Sequence, residues 1–178
     1  MMKSLFMQLV ILITILIGSS ARSEAQTNEA IRYSATVEDQ IVQLTNEARR
    51  QHGLQGLMPQ PRLVDAARLH SVEMITRDYF EHTSPTPGLT NPWDRVFRMG
   101  IQTYQVSENI FEADGYPLAE IAMDCLMDWM SSDGHRENIL NPTSTCVGVG
   151  AAIHPSTSCR GFEILITQEF TGPIVASR

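Results

Sequence analysis

Apolar residues recur along the chain with two different periods. From Val37 the positions Val37, Ile41, Leu44 and Ala48 follow at offsets of four, three and four, the repeat of one helix face, and Gly53 after His52 supplies a stop. The segment HGLQGLMPQPR reads as a loop, and Pro61 suits a first helical position. Leu63, Ala66, Ala67, His70, Ser71 and Met74 then resume the 3/4 spacing, which predicts a second helix whose buried face includes His70. Residues 81–92, EHTSPTPGLTNP, hold too much Pro, Thr, Ser and Gly for regular structure and read as a long loop. Trp93 to Met99 fits a short helix closed by Gly100, and Tyr104 to Phe111 reads as extended, with Ser107, Glu108 and Asn109 in its middle.

Pro117 is expected to open a further helix with Ile121, Ala122, Cys125, Leu126, Trp129 and Met130 inward, ended by Asp133 and Gly134. His135 to Leu140 reads as a turn or two of helix stopped at Asn141-Pro142. Beyond this the period changes to two. Val147, Val149 and Ala151 alternate with glycine and alanine, and Phe162, Ile164 and Ile166 alternate with Glu163, Leu165 and Thr167, so two antiparallel strands flank the turn at His154 to Ser158. Helices followed by an antiparallel hairpin predict an α+β domain with helices layered on a small sheet.

The first 25 residues have a different character. Lys3 precedes an apolar run from Leu5 to Gly18, and small residues lead to Ala25, the pattern of a secretory signal peptide. Fourteen residues interrupted by Gln8 fall short of the roughly 20 that span a bilayer, so a membrane anchor is the less favoured reading. The expected organisation is signal peptide 1–25, flexible lead-in 26–36, one domain over 37–172, and a tail 173–178. With 43% apolar and 19% charged residues, one domain with a core of its own is the natural size class.

The whole chain has a formal charge of −7, and its only lysine is Lys3. Without the signal segment no lysine remains, which excludes a Schiff-base lysine and a phosphate-loop lysine and leaves arginine as the only permanent side-chain cation. An acidic chain without basic clusters also argues against binding nucleic acid or an anionic membrane by charge, and no stable membrane span is expected once the signal is removed. Of the three cysteines, Cys125 lies on an apolar helix face as a buried thiol, and Cys146 and Cys159, the nearest pair in sequence, are the expected disulfide. No spacing is a metal-binding C-x-x-C.

Five histidines carry the candidate chemistry. His52 follows the last turn of the first helix and reads as a cap, His70 as a core residue, and His154 as part of a turn. His82 and His135 belong to no apolar stripe and are embedded in Ser, Thr, Gly or Asp, where an imidazole either clamps a loop through backbone carbonyls or faces a site. Ser84 and Ser132 read as turn or capping residues, Arg136 and Glu137 as local ties, and Trp93 and Trp129 as core or wall aromatics.

Six ordered blocks then form a recognisable series: A-x-x-H-S-x-x-M from Ala67, F-E-H-T-S-P from Phe80, S-E-N-I from Ser107, W-M-S-S-D-G-H-R-E-N-I-L-N-P from Trp129, V-G-V-G from Val147 and T-Q-E-F from Thr167. Over about Ile41 to Phe170 the chain resembles the bacterial branch of the CAP superfamily, the cysteine-rich secretory proteins, antigen 5 and plant pathogenesis-related proteins, whose unit is the SCP domain. The resemblance implies an α-β-α sandwich with helices on both faces of a small antiparallel sheet, and secretion to an extracellular or periplasmic space. It further implies a cleft lined by two histidines and two acids that holds a divalent metal such as zinc in some members. Carried over by position, His82 and His135 match the two histidines and Glu108 one acid, while Ser132 stands at about the place of the other acid and Ser107 replaces a glycine.

Two imidazoles and a carboxylate, His82, His135 and Glu108, make a zinc set with a position left for water, and equally a hydrogen-bonded cluster with no metal. The leading expectation is a monomeric secreted binding module for a small, apolar ligand, for a divalent metal, or for an extracellular partner protein. The alternatives are a metal-assisted extracellular hydrolase, in which Glu108 would have to act as ligand and base together, and a structural envelope protein with a vestigial cleft.

Overall fold

The structure, a computed structural model, describes residues 31–115, 117–155 and 161–175. The expected signal segment and Cys159 lie outside the described residues. The chain runs β1 (Arg32–Tyr33), α1 (Ala35–Gln51), β2 (Met58–Pro59), α2 (Pro61–Arg77), α3 (Pro92–Arg98), β3 (Val106–Asp114), α4 (Ile121–Ser131), α5 (Asp133–Ile139), β4 (Cys146–Pro155) and β5 (Phe162–Thr171).

Local chemistry accounts for the boundaries. Ser34 caps α1 through its hydroxyl on the Val37 amide, and at the far end His52 Nδ1 donates to Ala48 O at 2.8 Å, the capping role expected of it. Pro61 starts α2, which ends at Asp78 in a left-handed conformation. Asn91 and Asp94 form a reciprocal capping box on α3. Three boundaries differ from expectation. The lead-in is structured from Arg32, because Arg32 and Tyr33 pair with Ile153 and Ala152 of β4. The helix expected from Pro117 begins only at Ile121, since Pro117 O accepts the Glu120 amide in a turn. Asp133 and Gly134 begin α5 rather than end α4, because the backbone break falls at Ser132, whose extended conformation lets its carbonyl accept the Arg136 amide.

The sheet order is β1-β4-β5-β3, antiparallel throughout except for the two-residue β2, which runs parallel to β4. Parity then divides the residues between two helical layers. Val149, Ile164, Ile166 and Phe170 face α1, α4 and α5 in one cluster with Val37, Ile41, Trp129 and Ile139. The opposite face meets α2. Helices therefore cover both sides, the α-β-α sandwich that the resemblance implies.

The V-G-V-G run explains how closely α2 approaches. A Cβ on Gly148 would collide with the backbone of Leu63 and Val64, and one on Gly150 with that of Ala67 and Arg68. The two valines turn the other way, into the main core, and are fully buried. The backbone of α2 thus lies on a glycine track where no side chain can intervene.

Cys125 and Cys146 are free, buried thiols. Cys146 opens β4, and the expected Cys146–Cys159 pairing falls on a residue outside the described ones. Among the described residues no helix is long and apolar enough to cross a membrane.

Gly150→Ala is expected to destabilise the domain by about 2–3 kcal/mol or to prevent folding, because the added methyl meets backbone that cannot rotate away. Gly134→Ala, inside α5 with nothing near its Cβ, is expected to be neutral or stabilising by up to about 1 kcal/mol. Urea unfolding of both variants checks the pair, and equal effects would contradict the close-approach account.

Candidate functional site

Strand pairing places two acids side by side. Glu108 of β3 is directly opposite Glu169 of β5, and both are buried. On the same side stands Arg95 of α3, fully buried, whose guanidinium donates from Nη2 to Glu108 Oε2 at 2.6 Å and to His82 O at 3.2 Å, and from Nη1 to Leu89 O at 3.0 Å. One cation therefore holds a carboxylate of the sheet and two carbonyls of the 81–92 loop. His82, carried by that loop, bonds through Nδ1 to Glu108 Oε1 at 2.8 Å while its side chain remains 48% exposed.

Beneath it a second layer fixes the loop. His70 of α2, fully buried, donates from Nε2 to Glu81 O at 3.1 Å. Burial drives its pKa down to about 4, so it is neutral at pH 7. Tyr79 donates to Glu73 at 3.1 Å, Glu73 also accepts from Thr86, and buried Ser84 accepts the Thr86 amide at 2.9 Å, the turn role expected of it.

With His70 neutral, two carboxyls face one guanidinium. Burial pushes Glu108 upward, but the hydrogen bond from His82 and the charge of Arg95 outweigh it, and its carboxyl lies below the ordinary range. Glu169 is driven well above that range, first by complete burial and then by the charge of Glu108. Neither oxygen of Glu169 receives a donor, and Arg95 Nε is 3.7 Å away. A buried carboxyl without donors keeps its own proton, so Glu169 is the neutral member of the pair.

His135 reaches the same place from the other layer. It lies in the first turns of α5, and its ring centroid is 6.5 Å from that of His82 at an angle of 59°. Asn109 Nδ2 donates to His135 O at 3.2 Å and Asn138 Nδ2 to Glu108 O at 3.1 Å, while Trp129 Nε1 donates to Ile110 O at 2.9 Å. Side chains of α4 and α5 thereby take up the outward carbonyls of edge strand β3 and lock α5 against it. Burial, then the neighbouring His82, lowers the His135 pKa, and its Nδ1 is buried without a partner.

The structure brings His82, Glu108 and His135 together, but not as a ligand set. Among the described residues no group of three His, Cys, Asp or Glu is arranged to hold a metal ion. The reason is occupancy: Glu108 spends one oxygen on His82 and the other on Arg95, which leaves two imidazoles facing outward. Within the trio Glu108 is hydrogen-bonded to His82, and His135 stands beside that pair with its Nδ1 unpartnered. Ser132 serves the break between α4 and α5 and joins none of these contacts. Four of the surface hollows among the described residues, of about 420–590 Å³, are lined by residues other than His82, Glu108 and His135. Of two further members of the cluster, Glu169 falls in the T-Q-E-F block without being singled out there, and Arg95 is marked by no motif in the sequence. A charged residue within the apolar run ILITQEF was the available signal for Glu169, whereas Arg95 sits in a short helix whose pattern has no visible inner face.

The fold has counterparts among known proteins. The sequence profile described as CAP, the cysteine-rich secretory protein family, matches residues 42–170. The uncharacterized protein YkwD of Bacillus subtilis is 36% identical over 132 residues, 74% of this chain and 49% of its own length. The uncharacterized membrane protein YlbC of the same organism is 34% identical over 67% of this chain and 32% of its own length. The chain thus spans about half of one relative and a third of the other. Among solved structures, an extracellular protein containing an SCP domain from Bacillus anthracis superposes with a TM-score of 0.62 at 33% identity, covering 78% of this chain and 41% of that one. An outer surface protein from Borrelia burgdorferi shares the fold, with a TM-score of 0.56 at 16% identity over 80% of this chain and 98% of its own.

The Glu108–Glu169 pair makes a signed pH prediction. Folded Glu169 retains its proton where the unfolded chain has lost it, so this residue's contribution is complete below the unfolded carboxyl pKa and is lost as pH rises toward the raised folded value. Glu169→Gln removes that dependence while keeping a neutral side chain of the same shape. Its stability relative to wild type is therefore expected to increase between about pH 5 and pH 8, by at most about 1.4 kcal/mol per pH unit. Urea unfolding across that range checks it, and parallel curves would show that Glu169 is already ionised in the fold.

Proposed function

The chain belongs to the CAP family of cysteine-rich secretory proteins, and from that premise we propose that it is a binding module acting outside the cytoplasm, which takes a small hydroxyl-bearing ligand at the paired imidazoles of His82 and His135. The signal-like residues 1–25 and the extracellular description of the Bacillus anthracis relative support the location.

One observation carries the binding reading: His135 keeps a buried ring nitrogen without a partner beside a second imidazole whose orientation is already set. Ionised Glu108 holds the proton of His82 on Nδ1, so Nε2 offers a lone pair. His135, neutral because its pKa is lowered, retains one N–H to give. A hydroxyl can donate to the first and accept from the second. The electrostatics agree, since Glu108 is offset by Arg95 and Glu169 is protonated, leaving a site without net charge. An apolar body suits such a ligand as well as a sugar does, and no step is routed through a metal.

The His82–Glu108 bond favours a second reading. An imidazole oriented by a carboxylate, with its other nitrogen free, is also the arrangement of a general base, here for hydrolysis of peptide or cell-wall material. A peptide-library digest that proceeds with wild type and fails with Glu108→Gln would support it.

Hexan-1-ol is expected to shift the imidazole nitrogen resonances of His82 and His135 saturably, and its methyl ether, which cannot donate, to bind about fivefold more weakly. His82→Ala and His135→Ala are each expected to abolish that preference while the domain stays folded. Zinc binding at one ion per chain, lost in both variants, would make this a metal site and overturn the reading.

A further inference from the structure

The outward side of α4 concentrates one kind of side chain. Outside residues 1–25 the chain has six methionines, and three of them, Met123, Met127 and Met130, fall within eight residues of this helix. At about 100° per residue the three lie within roughly 60° of one another, with Met127 four residues from one neighbour and three from the other. Those are the spacings at which helical side chains touch. Because such side chains lean toward the helix N-terminus, Met130 reaches back over the turn of Met127, and Met127 over that of Met123.

Core packing accounts for the other side of the helix. Ile121, Ala122, Cys125, Leu126 and Trp129 point into the main core, while Met123 and Met127 are 47% and 63% exposed. Methionine is among the residues most often buried, so two left side by side in water are not placed there by packing. Met130 is half-buried at the margin of the core and closes the stripe.

The property these side chains share is a soft donor. A thioether sulfur has no proton to lose, and it suits Cu(I) and Ag(I) far better than it suits zinc, calcium or magnesium. Hard donors do not converge beside it, since among the described residues no group of three His, Cys, Asp or Glu is arranged to hold a metal ion. The remaining sulfur of the helix, Cys125, faces inward and is fully buried, and burial pushes its thiol pKa well up, so it stays protonated. Glu120, exposed, and Asp124, half-buried, come next around the helix surface, and their charge favours a cation there.

We propose that Met123, Met127 and Met130 form a site for one soft monovalent cation, Cu(I) or Ag(I), with Met127 as the central ligand. The site shares no residue with the imidazole pair.

Silver nitrate in chloride-free buffer tests the proposal on the full chain, labelled with methyl-13C methionine and treated with N-ethylmaleimide so that accessible thiols do not compete. The methyl resonances of Met123, Met127 and Met130 are expected to shift together and to saturate at one Ag(I). Met58, a lone methionine that is 64% exposed, is expected to stay in place over the same range. The double variant Met123→Leu/Met127→Leu keeps apolar volume and helix propensity, so it is expected to fold and to bind Ag(I) at Met130 at least about tenfold more weakly. Absence of a saturable shift at the three methyls, a parallel shift of Met58, or an unchanged response of Met130 in the variant would each overturn the proposal.

Discussion

A buried guanidinium facing two buried carboxyls is the constraint around which the site is built. Arg95 cannot be solvated, so its donors must find acceptors within the protein, and both terminal nitrogens do while Nε does not. It finds Glu108 on β3 and the carbonyls of His82 and Leu89. Satisfying this one charge thus fixes the path of the loop that carries His82. The second carboxyl, Glu169, cannot also be ionised beside a single cation, and its proton lets two acids occupy adjacent positions on neighbouring strands.

The other half of the site is held by neutral groups. Asn109 and Asn138 join β3 to α5 through His135 O and Glu108 O, and Gln168 extends the same network to Thr45 of α1 at 2.9 Å. Arg49 reinforces it from below, because its guanidinium, buried without a carboxylate, donates to Ile139 O at 2.7 Å and Asn141 O at 2.9 Å at the C-terminal end of α5. Those carbonyls carry the negative end of the helix dipole, which is how a lone buried cation is tolerated there. His82 therefore rests on an ionic framework and His135 on an amide framework, each belonging to a different helical layer, and the two meet at the edge of β3.

Much of this was legible in the residues and some of it was not. The 3/4 spacing from Val37 and from Leu63 marks faces that the structure buries, and the glycine spacing of V-G-V-G marks a strand that another backbone approaches. His52 could be assigned as a cap because its position after the last turn determines the atoms within reach. The break at Ser132 was not legible, since Asp133-Gly134 is as good a helix start as a helix stop, and only packing of Ile139 into the core selects the start. Arg95 escaped notice for a related reason. A seven-residue helix shows too little of its period to reveal an inward face, and an arginine is expected outward until its partners are seen. The surroundings of Glu108 were hidden at the same point, because the partners of its oxygens, Arg95 and His82, come from a short helix and a loop distant in sequence.

Charge decides which ligands suit the imidazole pair. At the imidazole pair the one ionised acid is matched by the one buried cation, and both histidine nitrogens that remain are neutral donors or acceptors, so a charged ligand would gain little there and would lose its hydration. Each arginine so placed is already committed, Arg95 to Glu108 and Arg68 to Glu38 with its charge also reaching Asp65, and beyond Lys3 the chain has no lysine to supply another cation.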